Sequence, residues 1–199
     1  WCWRGPAREL SDLPRPSLQG DFQLDNAAGA IMALELLGQD FQPKASSVSH
    51  GLTNPGLHGR FEQIHSSPDV WVDVGHNAHA TVGLADNLAR TRRAGRTIAV
   101  AAMLVEKDIE RALSPLIDHF DEWHVAGLSG PRGDDGSAIA QTLSAARVGH
   151  LTRHADGLAA YHAALQSAGP NDRIVAFGSF YLVGDILAAQ ADSADVAVH

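Results

Sequence analysis

From residue 70 onward, short apolar runs alternate with segments that have helical spacing. The runs that predict strands are residues 70–74, 97–104, 122–128 and 172–178, and residues 148–154 predict a further strand with a weaker apolar pattern. The segments that predict helices are residues 77–91, 108–120, 136–146, 157–168 and 180–190. Such alternation is typical of a parallel sheet with helices packed on its faces. We therefore predict an α/β fold with an open, mostly parallel sheet and helices on both faces.

The first 58 residues have a different pattern. Residues 26–38 predict a helix that stops at Gly38, and residues 42–59 predict a loop in which a short helix could lie. This region is too small and irregular to make a complete domain alone. The chain also begins with tryptophan, and we expect it to be a fragment of a longer protein.

We expect three parts along the chain. Residues 1–58 are predicted to be the tail of a preceding domain with the start of a linker. Residues 59–67 are predicted to be the linker itself. Residues 68–199 are predicted to form the α/β domain, an open Rossmann-like sheet.

Composition excludes several classes of protein. The net charge is −8, which disfavours broad binding to nucleic acid phosphates. There is one cysteine, so no internal disulfide can form and a reducing, cytoplasmic location is expected. No run of about 18 apolar residues predicts a membrane span. Neither nucleic acid nor a membrane is therefore an expected partner.

Polar side chains follow the predicted strands at the edge where their carboxyl ends would meet. Asp73, His76 and Asn77 follow the first strand, Lys107 follows the second, and Ser179 follows the last. Ligands of open parallel sheets bind beyond the carboxyl ends of the strands. These side chains are therefore candidates for a ligand site.

Each candidate also has a simpler explanation. Asp73 could be a helix N-cap, and Lys107, within "EKDIE", could be a solvated residue at a helix start. Ser179 lies in a common strand-to-helix turn, although a helix N-terminus also suits a carboxylate or phosphate. Arg60 precedes the sheet and could bind phosphate in a forked geometry, or could lie on the surface. His76 is a surface histidine or part of a site.

Two nucleotide-binding fingerprints are absent. The sequence contains neither G-x-x-x-x-G-K-[ST] nor G-x-G-x-x-G. The chain as given cannot hold ATP in a P-loop by itself.

Five motifs in series resemble one family. They are "GRFEQI", "PDVWVDVGHNAHA", "AAMLVEKDIERAL", "GPRG" and "VAFGSFYLVGDIL", preceded by "LPRPSLQGDFQLDNAAGAIMAL". This order resembles the C-terminal portion of bifunctional dihydrofolate synthase/folylpolyglutamate synthases, the folate branch of the Mur ligase superfamily. Ala78 stands where proline is usual, and alanine is also a good helix former. The resemblance implies that residues 1–58 end a central ATPase domain.

The resemblance also implies a reaction. ATP would phosphorylate the carboxylate of dihydropteroate or of a folate that already carries glutamate, and L-glutamate would attack the acyl phosphate. ATP and Mg²⁺ are the implied cofactors, and the metal ligands are expected mainly in an N-terminal domain that this chain lacks. No metal ligand is expected in this chain. It would work with the N-terminal domain and be inactive alone.

Roles carry over to the matching positions. The resemblance places Asn26 near the adenine, Arg60 near the phosphates and Asp73 on the ribose hydroxyls. These three form the implied nucleotide site.

The implied glutamate site contains four side chains, and two of them are also the implied catalytic residues. His76 and Asn77 would line the cleft near the incoming amino acid. Lys107 and Ser179 would hold the glutamate carboxylates. His76 and Lys107 are the implied catalytic pair.

Two other hypotheses remain open from the sequence. The chain could be a non-catalytic module that binds a nucleotide or an amino acid. It could also be a metal-dependent hydrolase that uses Asp73, His76 and His79, although two histidines without a clear third ligand are a weak metal signal.

Overall fold

The structure is a computed structural model that describes residues 1–91, 94–104, 108–130 and 133–196. The chain forms two compact units, Trp1–His58 and Gly59–His199. Within the described ranges, no helix is both long and apolar enough to cross a membrane.

The first unit is small and mostly helical. Its elements are β1 (Trp3–Arg4), β2 (Glu9–Leu10), α1 (Phe22–Leu36), a 3-10 helix (Gln39–Phe41) and α2 (Ala45–Thr53). The two strands pair antiparallel. Helix α1 begins four residues before the predicted start, and α2 is the short helix considered within residues 42–59. The apolar cluster of this unit contains Trp3, Leu10, Leu13, Ile31 and Val48.

The second unit contains six strands and five helices among the described residues. The strands are β3 (Glu62–Ser66), β4 (Asp69–Asp73), β5 (Thr97–Ala101), β6 (Glu122–Ala126), β7 (Leu151–His154) and β8 (Arg173–Phe177). The helices are α3 (Ala78–Arg90), α4 (Ile109–Leu113), α5 (Ser137–Ala145), α6 (Gly157–Ser167) and α7 (Phe180–Val196). A 3-10 helix (Ser114–His119) continues α4 from the residue before Pro115, which has no N–H to donate within an α-helix.

The six strands form one sheet in the order β3-β4-β8-β5-β6-β7. Strand β3 is antiparallel to β4, and every other neighbouring pair is parallel. Phe177, the last residue of β8, pairs with Asp73 on one side and with Ala101 on the other. The carboxyl ends of β4, β8 and β5 therefore meet at one edge, and the predicted mostly parallel α/β fold is confirmed.

Helices cover both faces of the sheet. Side chains alternate along β8, so that Val175 and Phe177 join an apolar cluster with α3, α4 and α5, whereas Ile174 and Ala176 join a second cluster with α6 and α7. The central strands are buried on both faces, which explains their continuous apolar runs.

The edge strand β3 differs from the expectation for its segment. Residues 59–67 were expected to be a linker, yet Glu62–Ser66 pairs with β4. Its sequence, EQIHS, has one apolar side chain, because an edge strand that faces solvent needs few. The pattern therefore carries little strand signal.

Candidate functional site

Asp73 ends β4 and its carboxylate is held by two backbone N–H groups. Gly75 N donates to Oδ1 at 2.6 Å, and Phe61 N donates to Oδ2 at 2.9 Å. Asp73 is therefore not the N-cap of α3, which was its simpler explanation. Each oxygen keeps a lone pair for a further donor, because a carboxylate oxygen accepts about two hydrogen bonds.

Burial raises the pKa of the Asp73 carboxyl above its usual value. The two backbone N–H groups and the nearby Arg60 charge act in the opposite direction, because they stabilise the ionised form. A buried carboxylate with spare acceptor capacity is suited to hydroxyl donors from a ligand.

The segment that carries Arg60 is tied to the end of β4. Val74 N donates to Gly59 O at 2.8 Å, and Gly59 N donates to the Glu62 carboxylate at 2.7 Å. Phe61 adopts a positive φ of 47°, which is unusual for a bulky residue. Its buried ring stacks on Trp71 with centroids 4.4 Å apart.

This arrangement leaves Arg60 exposed beside Phe180, the first residue of α7. The guanidinium carbon of Arg60 lies 6.0 Å from the centroid of the Phe180 ring. The His76 ring lies beside the same Phe180 ring, with the two centroids 6.2 Å apart. Sequence reasoning missed both Phe180 and the Phe61 N–H; the adjacent Ser179 and the "GRFE" motif were the only signals for them.

His76 and Asn77 form the turn between β4 and α3. His76 Nδ1 lies 2.9 Å from Val74 O. Because a carbonyl oxygen can only accept a hydrogen bond, Nδ1 carries the proton. In the neutral ring, Nε2 is then the unprotonated nitrogen. Asn77 is the N-cap of α3, because its Oδ1 accepts from Ala80 N at 3.0 Å. The Asn77 amide NH₂ and His76 Nε2 are thus the groups that remain for a ligand. His79 is exposed on α3.

Ser179 begins the turn after β8 and caps α7. Its Oγ accepts from Leu182 N at 3.0 Å, and the residue is 4% exposed. The preceding Gly178 has a φ of 111°, and a Cβ there would lie 2.7 Å from Ala102 O. Only glycine fits this turn without strain.

The structure places four of the expected residues on β4, β8 and the turns after them. Asp73, His76 and Asn77 follow β4, and Ser179 follows the neighbouring strand β8, whose end is paired with Asp73. Arg60 is tied to the same edge through Gly59 and Phe61. The functional role of each of these residues remains a prediction.

The other two expected residues are Asn26 and Lys107. Asn26 lies in the first unit, on α1, where its Nδ2 donates to Gln23 Oε1 at 3.0 Å. Lys107 lies outside the described residues.

A metal site is not evident at this edge. Within the ranges that the structure describes, no three His, Cys, Asp or Glu side chains are grouped to hold a metal ion. In the described part of the chain, Asp73, His76 and His79 therefore do not form the three-ligand group that the metal-dependent hydrolase hypothesis requires.

Comparisons with known proteins show which family this chain is similar to. The family model described as "Mur ligase, glutamate ligase domain" matches residues 59–180. The dihydrofolate synthase/folylpolyglutamate synthase of Escherichia coli is 31% identical over 188 residues, which cover 94% of this chain and 42% of that enzyme.

Two solved structures have the same fold over almost the whole chain. The structure of E. coli FolC in complex with DHPP and ADP has a TM-score of 0.82 and 30% identity, and covers 97% of this chain and 44% of that one. A bifunctional folylpolyglutamate synthase/dihydrofolate synthase with Mn, AMPPNP and L-glutamate bound has a TM-score of 0.78 and 33% identity, with coverage of 96% and 44%. The chain thus spans less than half the length of these relatives.

The match to the family model includes every strand of the large sheet and the turns that carry Arg60, Asp73, His76 and Ser179. The resemblance inferred from the five motifs is confirmed, with this chain corresponding to the C-terminal portion of those synthases. The chain therefore belongs to the Mur ligase family, and its residues 59–180 correspond to the glutamate ligase domain.

Proposed function

We propose that this chain takes part in the ATP-dependent ligation of L-glutamate to dihydropteroate, to folylpolyglutamate, or to both. The observation that carries the proposal is the Asp73 carboxylate, held by two backbone N–H groups beside Arg60 in a glutamate ligase domain. We further propose that the chain acts together with an ATP-binding domain, because it contains no P-loop sequence.

The proposed chemistry has two steps. The γ-phosphoryl group of ATP is transferred to the substrate carboxylate, which gives an acyl phosphate and ADP. The amino group of L-glutamate then attacks the acyl carbon, and the tetrahedral intermediate expels phosphate as the amide forms. Both steps bring anions together, so they need cations and precise placement more than covalent help from the protein.

On the nucleotide side, Asp73 is proposed to accept hydrogen bonds from the ribose hydroxyls. An ionised carboxylate is only an acceptor and suits two O–H donors. Arg60 is proposed to bind the phosphates, since its guanidinium is exposed and can bind them through two N–H groups. Asn26 is proposed to lie near the adenine.

On the amino-acid side, His76 is proposed to contact the amino group of L-glutamate. Its Nε2 is unprotonated in the tautomer fixed by Val74 O and can accept a proton from that amine. The Asn77 NH₂ and the Ser179 hydroxyl are proposed to donate to the glutamate carboxylates. Lys107 is proposed as the cation that neutralises them and as the second catalytic residue.

ATP and Mg²⁺ are the proposed cofactors, and the metal ligands are proposed to lie mainly in the ATP-binding domain. L-Glutamate and the pterin or folate acid are the proposed partners, and a cytoplasmic location remains a prediction. This chain alone is proposed to be inactive.

The test compares the 199-residue chain alone with the intact enzyme, in which the chain is joined to its ATP-binding domain. We expect the intact enzyme to form ADP and a glutamylated product only when L-glutamate and the acid are both present. We expect no turnover from the chain alone. If the folded intact enzyme forms no product with dihydropteroate or with folates, the proposed substrates are refuted. Tight ATP binding by the chain alone would instead favour the binding-module hypothesis.

A further inference from the structure

Phe180 is a large apolar side chain that remains 60% exposed at the site edge. A single exposed aromatic residue is common on protein surfaces and by itself indicates nothing. What distinguishes Phe180 is its neighbours. The Arg60 guanidinium carbon lies 6.0 Å from its ring centroid, and the His76 ring centroid lies 6.2 Å away at an angle of 57°.

The three side chains come from three separate segments of the second unit. Arg60 precedes β3, His76 follows β4, and Phe180 begins α7. Each of the two polar side chains is proposed above to bind a different substrate. The Phe180 ring is therefore the shared contact between the proposed nucleotide side and the proposed glutamate side.

An aromatic face restricts a cation that would otherwise move widely. Arg60 has a long, exposed side chain, and a guanidinium over a ring at about 6 Å is attracted to the negative face of the ring. The tilted His76 ring lies within the centroid distance over which aromatic pairs attract each other. Side chains that are held in place before a ligand arrives lose less conformational entropy when it binds.

We propose that Phe180 is a positioning residue, whose ring holds Arg60 for the nucleotide phosphates and His76 for the amino group of glutamate. This inference rests on the proposed function and adds a residue to it. This role does not require Phe180 to contact the reacting atoms or the transferred phosphoryl group. Its effect is on how well the two polar side chains are placed.

The test measures steady-state kinetics of the intact enzyme with Phe180→Leu and Phe180→Trp. Leucine keeps an apolar side chain and removes the aromatic face, whereas tryptophan keeps a face that binds cations well. For Phe180→Leu we expect the KM for ATP to rise about two- to fivefold, the range expected for the exposed cation–π contact of Arg60. We expect the KM for L-glutamate to rise at least about twofold, because the aromatic contact to His76 is lost. For Phe180→Trp we expect both values to stay within twofold of wild type.

Tyr181 provides a matched control. It is the next residue of α7 and is 56% exposed. Among the described side chains no ring or cation contact involves it, so Tyr181→Leu is expected to leave both KM values unchanged. An equal rise for Tyr181→Leu would show that any loss of apolar surface at this helix start has the same effect, and would overturn the proposal.

A double-mutant comparison separates positioning from a direct effect on the ligand. If Phe180 acts through Arg60, then Phe180→Leu added to Arg60→Ala raises the KM for ATP no further. Fully additive effects would overturn the proposal, as would equal KM values for wild type and Phe180→Leu.

The two proposals fail in different ways. An inactive wild-type enzyme refutes the proposed function, whereas an active wild type with unchanged Phe180 variants refutes only the positioning role. If Phe180→Leu does not fold, as judged by circular dichroism, Phe180→Trp decides the matter. A folded tryptophan variant with KM values raised more than fivefold would refute a role that needs only an aromatic face.

Discussion

The backbone N–H of Phe61 donates to the side chain of Asp73 at 2.9 Å, across 12 residues of sequence. The bond joins the start of the edge strand β3 to the end of its partner β4. It holds one carboxylate oxygen, and Gly75 N holds the other. Asp73 therefore has a fixed orientation in which its remaining lone pairs can accept from a ligand.

Replacement of Asp73 by asparagine tests this arrangement. An amide NH₂ cannot accept a hydrogen bond, so one of the two backbone N–H groups loses its partner and the ligand loses a charged acceptor. We expect the KM for ATP of the intact enzyme to rise about 10- to 100-fold, since a hydrogen bond to a charged group contributes about 1.5–3 kcal/mol. Asp86→Asn, at an exposed acid on α3, is the control. An unchanged KM for ATP in Asp73→Asn would remove the ribose role.

Asn77 can be altered so that its cap and its proposed ligand contact are separated. Asn77→Ala removes the cap of α3 and is expected to lower the free energy of unfolding by about 1 kcal/mol. Asn77→Asp keeps an oxygen that accepts from Ala80 N and should retain that stability. It loses the NH₂ donors and adds a negative charge, so the KM for L-glutamate should rise.

Urea unfolding and glutamate titration of both Asn77 variants measure the two effects. A glutamate KM that stays at the wild-type value in Asn77→Asp would confine this residue to a structural role.

Gly178 and Gly184 form a matched pair on either side of the start of α7. Gly178→Ala is expected to lower the free energy of unfolding by about 2–4 kcal/mol, because the new Cβ would lie 2.7 Å from Ala102 O and φ is 111°. Gly184→Ala, where a Cβ would meet nothing within 4 Å, is expected to raise it by about 0.5–1 kcal/mol. Denaturant unfolding of the chain measures both changes. Equal effects at the two positions would contradict the conformation assigned to Gly178.

The pair formed by the buried His124 on β6 and the half-buried His154 on β7 predicts a dependence of stability on pH. His124 Nδ1 lies 2.9 Å from His154 Nε2, and His124 Nε2 lies 2.9 Å from Glu122. Burial, and then the neighbouring His124, lower the pKa of His154 below its ordinary value of 6.5. The unfolded chain therefore takes up a proton at higher pH than the folded chain does.

The neutral His154 ring therefore contributes fully to the stability of the folded chain above about pH 6.5. That contribution is lost as the pH falls through the lower folded pKa of His154. We expect His154→Gln to flatten the change in unfolding free energy between pH 8 and about pH 5. Urea titrations of wild type and variant at both pH values measure this difference. The same slope in both proteins would contradict the prediction.

The periodic pattern was sufficient to predict the five parallel strands and their helices. The buried central strands gave continuous apolar runs, whereas the edge strand β7, LTRH, gave a weaker signal. The pattern also indicated which strand ends carry polar side chains. It could not indicate β3, whose EQIHS sequence faces solvent and pairs with β4 through a register shift between Gln63 and His65. Without that pairing, nothing in the pattern brings Phe61 to Asp73.

Backbone conformation was the second limit. Asp73 and Asn77 are both plausible caps by residue type, and only the turn geometry decides that Asn77 caps α3 while Asp73 accepts from Gly75 and Phe61. The positive φ of Phe61 is likewise invisible in a sequence, since a bulky residue rarely adopts it.

The bonds around Gly59 have a further consequence. Val74 N donates to Gly59 O, and Phe61 N donates to the Asp73 carboxylate. Arg60 lies between these two hydrogen-bonded residues, Gly59 and Phe61. The backbone on both sides of Arg60 is therefore already ordered when the second unit has folded. The entropy of fixing that backbone is lost once, during folding, and a ligand that reaches Arg60 has only side-chain freedom left to restrict. The backbone of Arg60 is thus an ordered part of the sheet edge, although the sequence pattern predicted residues 59–67 to be a linker.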